Sequence, residues 1–299
     1  MASELVSIGL SVIDYLFLCE QPREGTFGPA SDHLVQGGGL AATAAVAMAR
    51  LGGRVEMWSL VGEGFAGRFI LDQFRAEGVD TSQVRVCPGG RSPACAVVVD
   101  RPKAERYFTF FPGRGLDRSI AHLDLSRIER AKAILVDGWW PEAQLAAARR
   151  ARDCRVAVCG DFERISDATR QLAALTDYPI YCQEAVLAYA DTESPEEALR
   201  AVAELGGAVP MVTLGEQGCL WLEGGRVHRC PAFPVEVVDT TGCGDVFHGA
   251  FAFGLARGWD VGRIARFASA TAALKCRALG GRTAIPTYDH VVALLQRNP

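Results

Sequence analysis

The stretch best suited to chemistry by residue type and spacing is Asp239-Thr240-Thr241-Gly242-Cys243-Gly244-Asp245. An apolar run ends in Asp and Thr, two glycines leave little side chain over the backbone, and Asp245 opens a segment, 246–256, that reads as helix. Such a turn presents free amide N–H groups at the positive end of a helix, a place for an oxyanion or a phosphate. Asp245 stands beside it, able to orient or deprotonate a hydroxyl that attacks the same phosphate. The expected catalytic set is Asp245 as base or orienter, with the amides of Gly242, Cys243 and Gly244 as the anion hole. His248, three residues on, reads as a packed or hydrogen-bonded residue. Glycine-rich turns are also common structural caps, and this turn alone does not separate the two readings.

The elements that must position the turn follow from periodicity. Residues 5–10 suit a buried first strand, and Asp14 emerges near a strand end, where open α/β sheets place ligands. Residues 36–52 are a glycine turn running into an alanine-rich helix stopped by Gly52 and Gly53. Residues 55–61 read as a strand, followed by a helix over 68–78. Residues 95–100 and 105–111 flank the polar turn 101–104 as a hairpin. With 15–19 and 27–36 they form a small sheet outside the main body. From residue 131 onward strands (133–136, 155–159, 178–181, 209–213) alternate with helices (141–151, after Ser166, 195–205). That alternation predicts a mostly parallel sheet with helices on both faces.

Composition bounds the function classes. With 299 residues, 49% of them hydrophobic, the chain can bury one large core or a core plus a small appendage. A net charge of −4 gives no electrostatic reason to expect nucleic acid or an anionic membrane as partner. The ten cysteines are scattered without a CxxC pair, several within apolar runs, which reads as a reducing cytoplasm without structural zinc. Neither a signal peptide nor a membrane span is expected. No G-x-x-x-x-G-K-[ST] occurs, so the chain is not a P-loop enzyme. Gly37-x-Gly39-x-x-Ala42, with Glu56 after the next strand, imitates a dinucleotide fingerprint. That motif should follow a buried strand, and residues 30–36 make a poor one.

The D-T-x-G-x-G-D string resembles the C-terminal signature of the PfkB, or ribokinase-like, carbohydrate kinases. Gly37-Gly38-Gly39-Leu40-Ala41-Ala42-Thr43 resembles their N-terminal signature, with Thr43 where that family has a sugar-contacting Asn. Within the family the strings also resemble those of sulfofructose kinase. The resemblance implies a single ribokinase-like α/β domain over 1–299, with lid segments at about 14–36 and 94–112. It implies a sugar site of Asp14, Gly38, Gly39, Thr43, Phe110, Arg114 and Trp139. It places Thr213, Gly215 and Gly218 of a T-x-G-x-x-G element, Glu184 and Lys275 on the nucleotide side. Cys182 and Gln183 break the N-x-x-E element near the phosphates, leaving Glu184 and Asp161 as candidate acids. Gly64 replaces an expected acid. Asp239 and Thr241 are where several relatives bind a monovalent cation, so potassium is an expected cofactor beside ATP and Mg2+.

The expected function is therefore transfer of the ATP γ-phosphoryl group to a hydroxyl of a small, ketose-type sugar, by a cytoplasmic homodimer joined through its lid. An NAD(P)-dependent oxidoreductase and a catalytically silent sugar- or nucleotide-binding regulator are the alternatives.

Overall fold

The computed structural model describes residues 3–20, 28–101 and 105–298, so Phe27 and turn residues 102–104 of the expected small sheet lie outside the described residues. In chain order the strands are β1 (Leu5–Ile8), β2 (Val12–Cys19), β3 (Asp32–Gly38), β4 (Val55–Gly62), β5 (Asp80–Cys87), β6 (Ala94–Asp100), β7 (Glu105–Phe111), β8 (Ala133–Val136), β9 (Ala157–Phe162), β10 (Tyr178–Cys182), β11 (Met211–Thr213), β12 (Cys219–Glu223) and β13 (Arg226–Cys230). The helices are α1 (Leu40–Arg50), α2 (Phe65–Ala76), α3 (Pro141–Cys154), α4 (Asp167–Ala173), α5 (Gln183–Ala190), α6 (Pro195–Ala203), α7 (Cys243–Ala256), α8 (Val261–Lys275) and α9 (Tyr288–Arg297).

The larger sheet runs β13-β12-β11-β10-β9-β8-β1-β4-β5, parallel from β5 to β11 and antiparallel through β12 and β13. Its central strands β1, β4 and β8 are mostly apolar and buried along their whole length, as strands covered on both faces must be. One face packs on α1, α2, α7 and α8, the other on α3 to α6. This is the expected α/β architecture, with the core split between the two faces of the sheet.

The smaller sheet, β3-β2-β6-β7, joins two antiparallel pairs through the parallel pairing of β2 with β6. One face of β2 and β6 carries Val12, Leu16, Leu18, Cys95, Val97 and Val99, a separate apolar cluster. Asp14 shares that face by alternation, which turns its carboxyl inward over the larger sheet.

Several boundaries differ from expectation. Helix α7 begins at Cys243, so Asp245 stands within its first turn instead of opening it. Helix α2 begins at Phe65, a turn early, and α3 runs on to Cys154, where Arg155 caps it at φ 59°. Strand β9 therefore starts at Ala157. Residues 32–38 do form a strand, but in the small antiparallel sheet. The glycine turn thus follows a strand of that sheet, not a core parallel strand, and the dinucleotide geometry is absent there. Strands β5, β12 and β13 and helices α5 and α9 were not anticipated.

Candidate active site

A cavity of about 820 Å³ opens at the C-terminal ends of β1, β8, β9, β10 and β11, beneath β2, β6 and β7. In an open α/β sheet this is where ligands sit, because successive loops leave the sheet there. Asp14, Gly39, Thr43, Phe110, Trp139, Glu184, Thr213, Gly215, Thr241, Gly242, Cys243, Gly244 and Asp245 all line it. A second cavity, of about 550 Å³, shares Arg106, Thr213, Gly215, Thr240, Cys243 and Gly244 with the first and adds Gly218. Its far wall is apolar, built from Phe233, Val235, Phe247, Ala272 and Ala273. The glycine-rich turn is thus the partition between a polar chamber and an apolar one.

The turn is shaped by its own residues. Gly242 adopts φ 73°, a left-handed conformation that favours glycine, and a Cβ on it would press on Gly281. The Asp239 carboxylate accepts the Thr241 N–H (2.8 Å) and hydroxyl (2.7 Å) through one oxygen and the Gly280 N–H (2.8 Å) through the other. The expected anion hole needs one correction: the Cys243 N–H already donates to Thr240 O at 3.1 Å. Among the described residues, the Gly242, Gly244 and Asp245 amides make no such backbone bond. They are the first-turn donors left for an anion.

Asp245 is partly exposed on the cavity wall. Burial, then the Glu163 carboxylate, Cys243 and Asp14, push its carboxyl up to about 8, against the pull of Arg282. Such a group binds a proton near neutral pH, as a general base must. His248 behind it is 4% exposed, with Nδ1 2.6 Å from Gly244 O and 3.3 Å from Asp161 Oδ2. Burial lowers His248 to about 4, which fits the expected packed role. Asp161 is buried at 3% exposure, and burial and then Asp245 hold its carboxyl well above the usual range.

On the opposite wall Asp14 is 8% exposed; burial pushes it up to about 6 and Arg282 opposes the rise. Gly38 does not line the cavity. A Cβ there would collide with the Asp14 carboxylate, so Gly38 acts by making room for that group. Gly39, at φ 93°, caps α1, and Leu10 O stands where a Cβ on it would have to go. The Arg282 guanidinium lies under this turn, Nη2 donating to Gly38 O (3.1 Å) and Nε to Thr43 Oγ1 (3.3 Å). The buried Asp137 accepts N–H groups of Leu10, Ala41 and Trp139, joining the end of β1, the start of α1 and the Trp139 loop. Trp139 meets Phe110 edge-on at 5.1 Å, and the Arg164 guanidinium covers its ring at 4.1 Å.

Besides Gly38, three of the expected residues, Arg114, Lys275 and Asp239, line neither chamber. Arg114 is exposed, pairs by its backbone with Arg91 and does not line the cavity; Arg106, one strand earlier, lines both chambers. Lys275 lines neither chamber: it is fully buried, its Nζ donating to Asp239 O at 2.8 Å. Asp239 is likewise buried behind the turn. Sequence reasoning missed Arg106, Glu163 and Arg282. Glu163 had a readable signal, an acid just past the apolar strand 157–162, whereas Arg282 lies 239 residues from the Thr43 hydroxyl it meets.

A family model described as pfkB family carbohydrate kinase matches residues 2–288. The ribokinase of Bacillus subtilis is 30% identical over 285 residues, covering 92% of this chain and 93% of that protein. A solved structure from Agrobacterium tumefaciens is similar at a TM-score of 0.91 and 30% identity, with 99% of each chain covered. The Arabidopsis thaliana ribokinase, solved in complex with ribose and ATP, shares the fold at a TM-score of 0.87 and 24% identity, again over 99% of each chain.

Proposed function

Because this chain belongs to the pfkB family of carbohydrate kinases, we propose that it transfers the γ-phosphoryl group of MgATP in line to a hydroxyl of a small, ketose-type sugar. The observation that carries the proposal is the partition turn. It offers the free amides of Gly242, Gly244 and Asp245 and the Asp245 carboxylate at the junction of the two chambers. A phosphoryl group held at the junction meets the donors that stabilise its charge, while Asp245 takes the proton of the attacking hydroxyl.

The polar chamber suits the sugar. Asp14 is a buried hydroxyl acceptor, and Phe110 with Trp139 offers an apolar wall for a sugar face. Thr43, in place of the Asn of the family signature, presents to the chamber a hydroxyl that is held by Arg282. The apolar chamber, reached past Thr213, Gly215 and Gly218, suits a purine ring. Among the described residues no three His, Cys, Asp or Glu side chains are grouped to hold a metal. The magnesium ion would therefore arrive on the nucleotide, keeping phosphate and water ligands, with Glu163 and Glu184 the nearby carboxylates on the chamber wall. An acceptor that bears a sulfonate would draw on Arg106, or on Arg164 beside Trp139.

The four-stranded sheet serves as the lid in this reading. It covers the polar chamber and so keeps water from competing with the sugar for the phosphoryl group. Phe17 of β2, on the face turned away from the chamber, is 39% exposed, and we place the homodimer contact on that side of the sheet. Among the described residues no helix is long and apolar enough to cross a membrane, and we place the enzyme in the cytoplasm. The test is ADP release from MgATP with a panel of ketoses, aldoses, sulfosugars and nucleosides. Saturable turnover of a ketose-type sugar is expected. Turnover of none, with NADH fluorescence quenched by the protein, would contradict the proposal.

A further inference from the structure

A lysine ammonium is strongly hydrated and is almost never fully buried unless something pairs with it. Lys275, the last residue of α8, is 0% exposed. Its side chain runs beneath the partition turn and donates to Asp239 O at 2.8 Å. The chain closes around this contact from both sides. Cys276 O accepts the Val238 and Asp239 N–H groups (2.8 and 3.2 Å), and the Asp239 carboxylate ties Thr241 to Gly280. The ammonium thus sits inside a ring formed by 238–242 and 275–281, directly behind the amides of the anion hole. Burial pulls Lys275 below the ordinary lysine range, while the Asp239 carboxylate, Cys276 and Cys243 oppose that fall and Arg106 adds to it.

This arrangement conflicts with a monovalent cation at Asp239 and Thr241. A potassium ion coordinated there would need several oxygens, the Asp239 carbonyl among them, and would lie beside an ammonium that already donates to that oxygen and has no access to solvent, so the two positive charges would repel at close range. We propose that Lys275 is a positioning residue which supplies, as a tethered ammonium, the positive charge that a free monovalent ion would bring. Its charge orients the Asp239 carbonyl and holds the turn with its amides toward the phosphate. The chain then needs no potassium. The activity part rests on the kinase reading above; the ion-binding part does not.

The experiment compares wild type, Lys275→Ala and Lys275→Met in potassium chloride and in tetramethylammonium chloride at equal ionic strength. Melting temperature, MgATP affinity by calorimetry and sugar-dependent ADP release are measured for each. Wild type should give the same three values in both salts. Lys275→Ala, which empties a space of ionic size, should bind MgATP about tenfold or more weakly in tetramethylammonium, the cost of one charged hydrogen bond, and recover in potassium. It should also melt higher in potassium. Lys275→Met, which fills the space without charge, should be weakened in both salts. Potassium stimulation of the wild type, or a Lys275→Ala protein indifferent to the salt, would overturn the proposal. If Lys275→Ala does not fold, the wild-type comparison decides. If no sugar is turned over, the kinase reading fails, while melting and MgATP binding still test the tethered ammonium.

Discussion

Asp245 and Asp14 face each other across the polar chamber with carboxyls raised to about 8 and about 6, and both values come chiefly from burial. The pH dependence of kcat/KM follows, since it reports the free enzyme's essential groups. With Asp245 as base, kcat/KM should fall as pH drops below about 8 and fall more steeply below about 6, where Asp14 also takes a proton. A profile flat from pH 6 to 9 would remove Asp245 from the base role. The same shift bears on stability. A carboxyl raised in the folded state contributes stability that is present below its ordinary value of 3.8 and lost as pH rises through about 8. Asp245→Asn should therefore melt above wild type at pH 9, with the gap shrinking toward pH 5, as followed by circular dichroism. At this scale the sequence was legible where the chemistry is local. Asp239 to Asp245 lie in one turn, and Asp14 follows the first strand. Arg106 and Arg282 were illegible because each enters from a different element and carries no local pattern, whereas Glu163 stands just past strand β9, a position the sequence does mark.

At the scale of elements, the site depends on how closely α1 and α7 approach, since both begin at the chamber. Gly249 on α7 lies against the Ala44 backbone of α1, where a Cβ would collide with Ala44 O. The alanine run of α1, buried from Leu40 to Met48, is the other half of that approach. Gly249→Val should cost about 1–3 kcal/mol of stability through overpacking. It should also reduce kcat by displacing the first turn of α7, measured by chemical denaturation and turnover on the same preparation. A variant as stable as wild type would show that the two helices can separate freely. Elements with one clear period were readable in advance. The β6–β7 hairpin alternates, β8 is a solid apolar run, and Ser166 caps α4 through a reciprocal pair with Thr169. The missed β12–β13 hairpin had its own signal, Gly224-Gly225, both at positive φ. Strand β5 was missed because it buries only Gln83 and Cys87 and has neither a regular alternation nor an apolar run. Helix α5, only 183–190, has no side-chain cap to announce it.

At the scale of the molecule, the parallel sheet gathers loops from five strand ends around one chamber, and the small sheet closes over it. The alternation of strands and helices from residue 131 made the larger sheet legible. What it could not convey was that residues 32–38, poor as a core strand, are good as one strand of a separate antiparallel sheet. That placement decides between the two glycine readings, because the turn after it leads from the roof of a chamber into α1 and not from the centre of a parallel sheet.

The central claim is that Asp245 handles the proton of a sugar hydroxyl at a turn that holds the nucleotide phosphate. Sugar-dependent ADP release by wild type and Asp245→Asn, paired with MgATP affinity by calorimetry on both, tests it most directly. The account predicts a loss of about 10²–10⁴-fold in kcat with MgATP affinity nearly unchanged. An Asp245→Asn enzyme that turns over the sugar at the wild-type rate would contradict it.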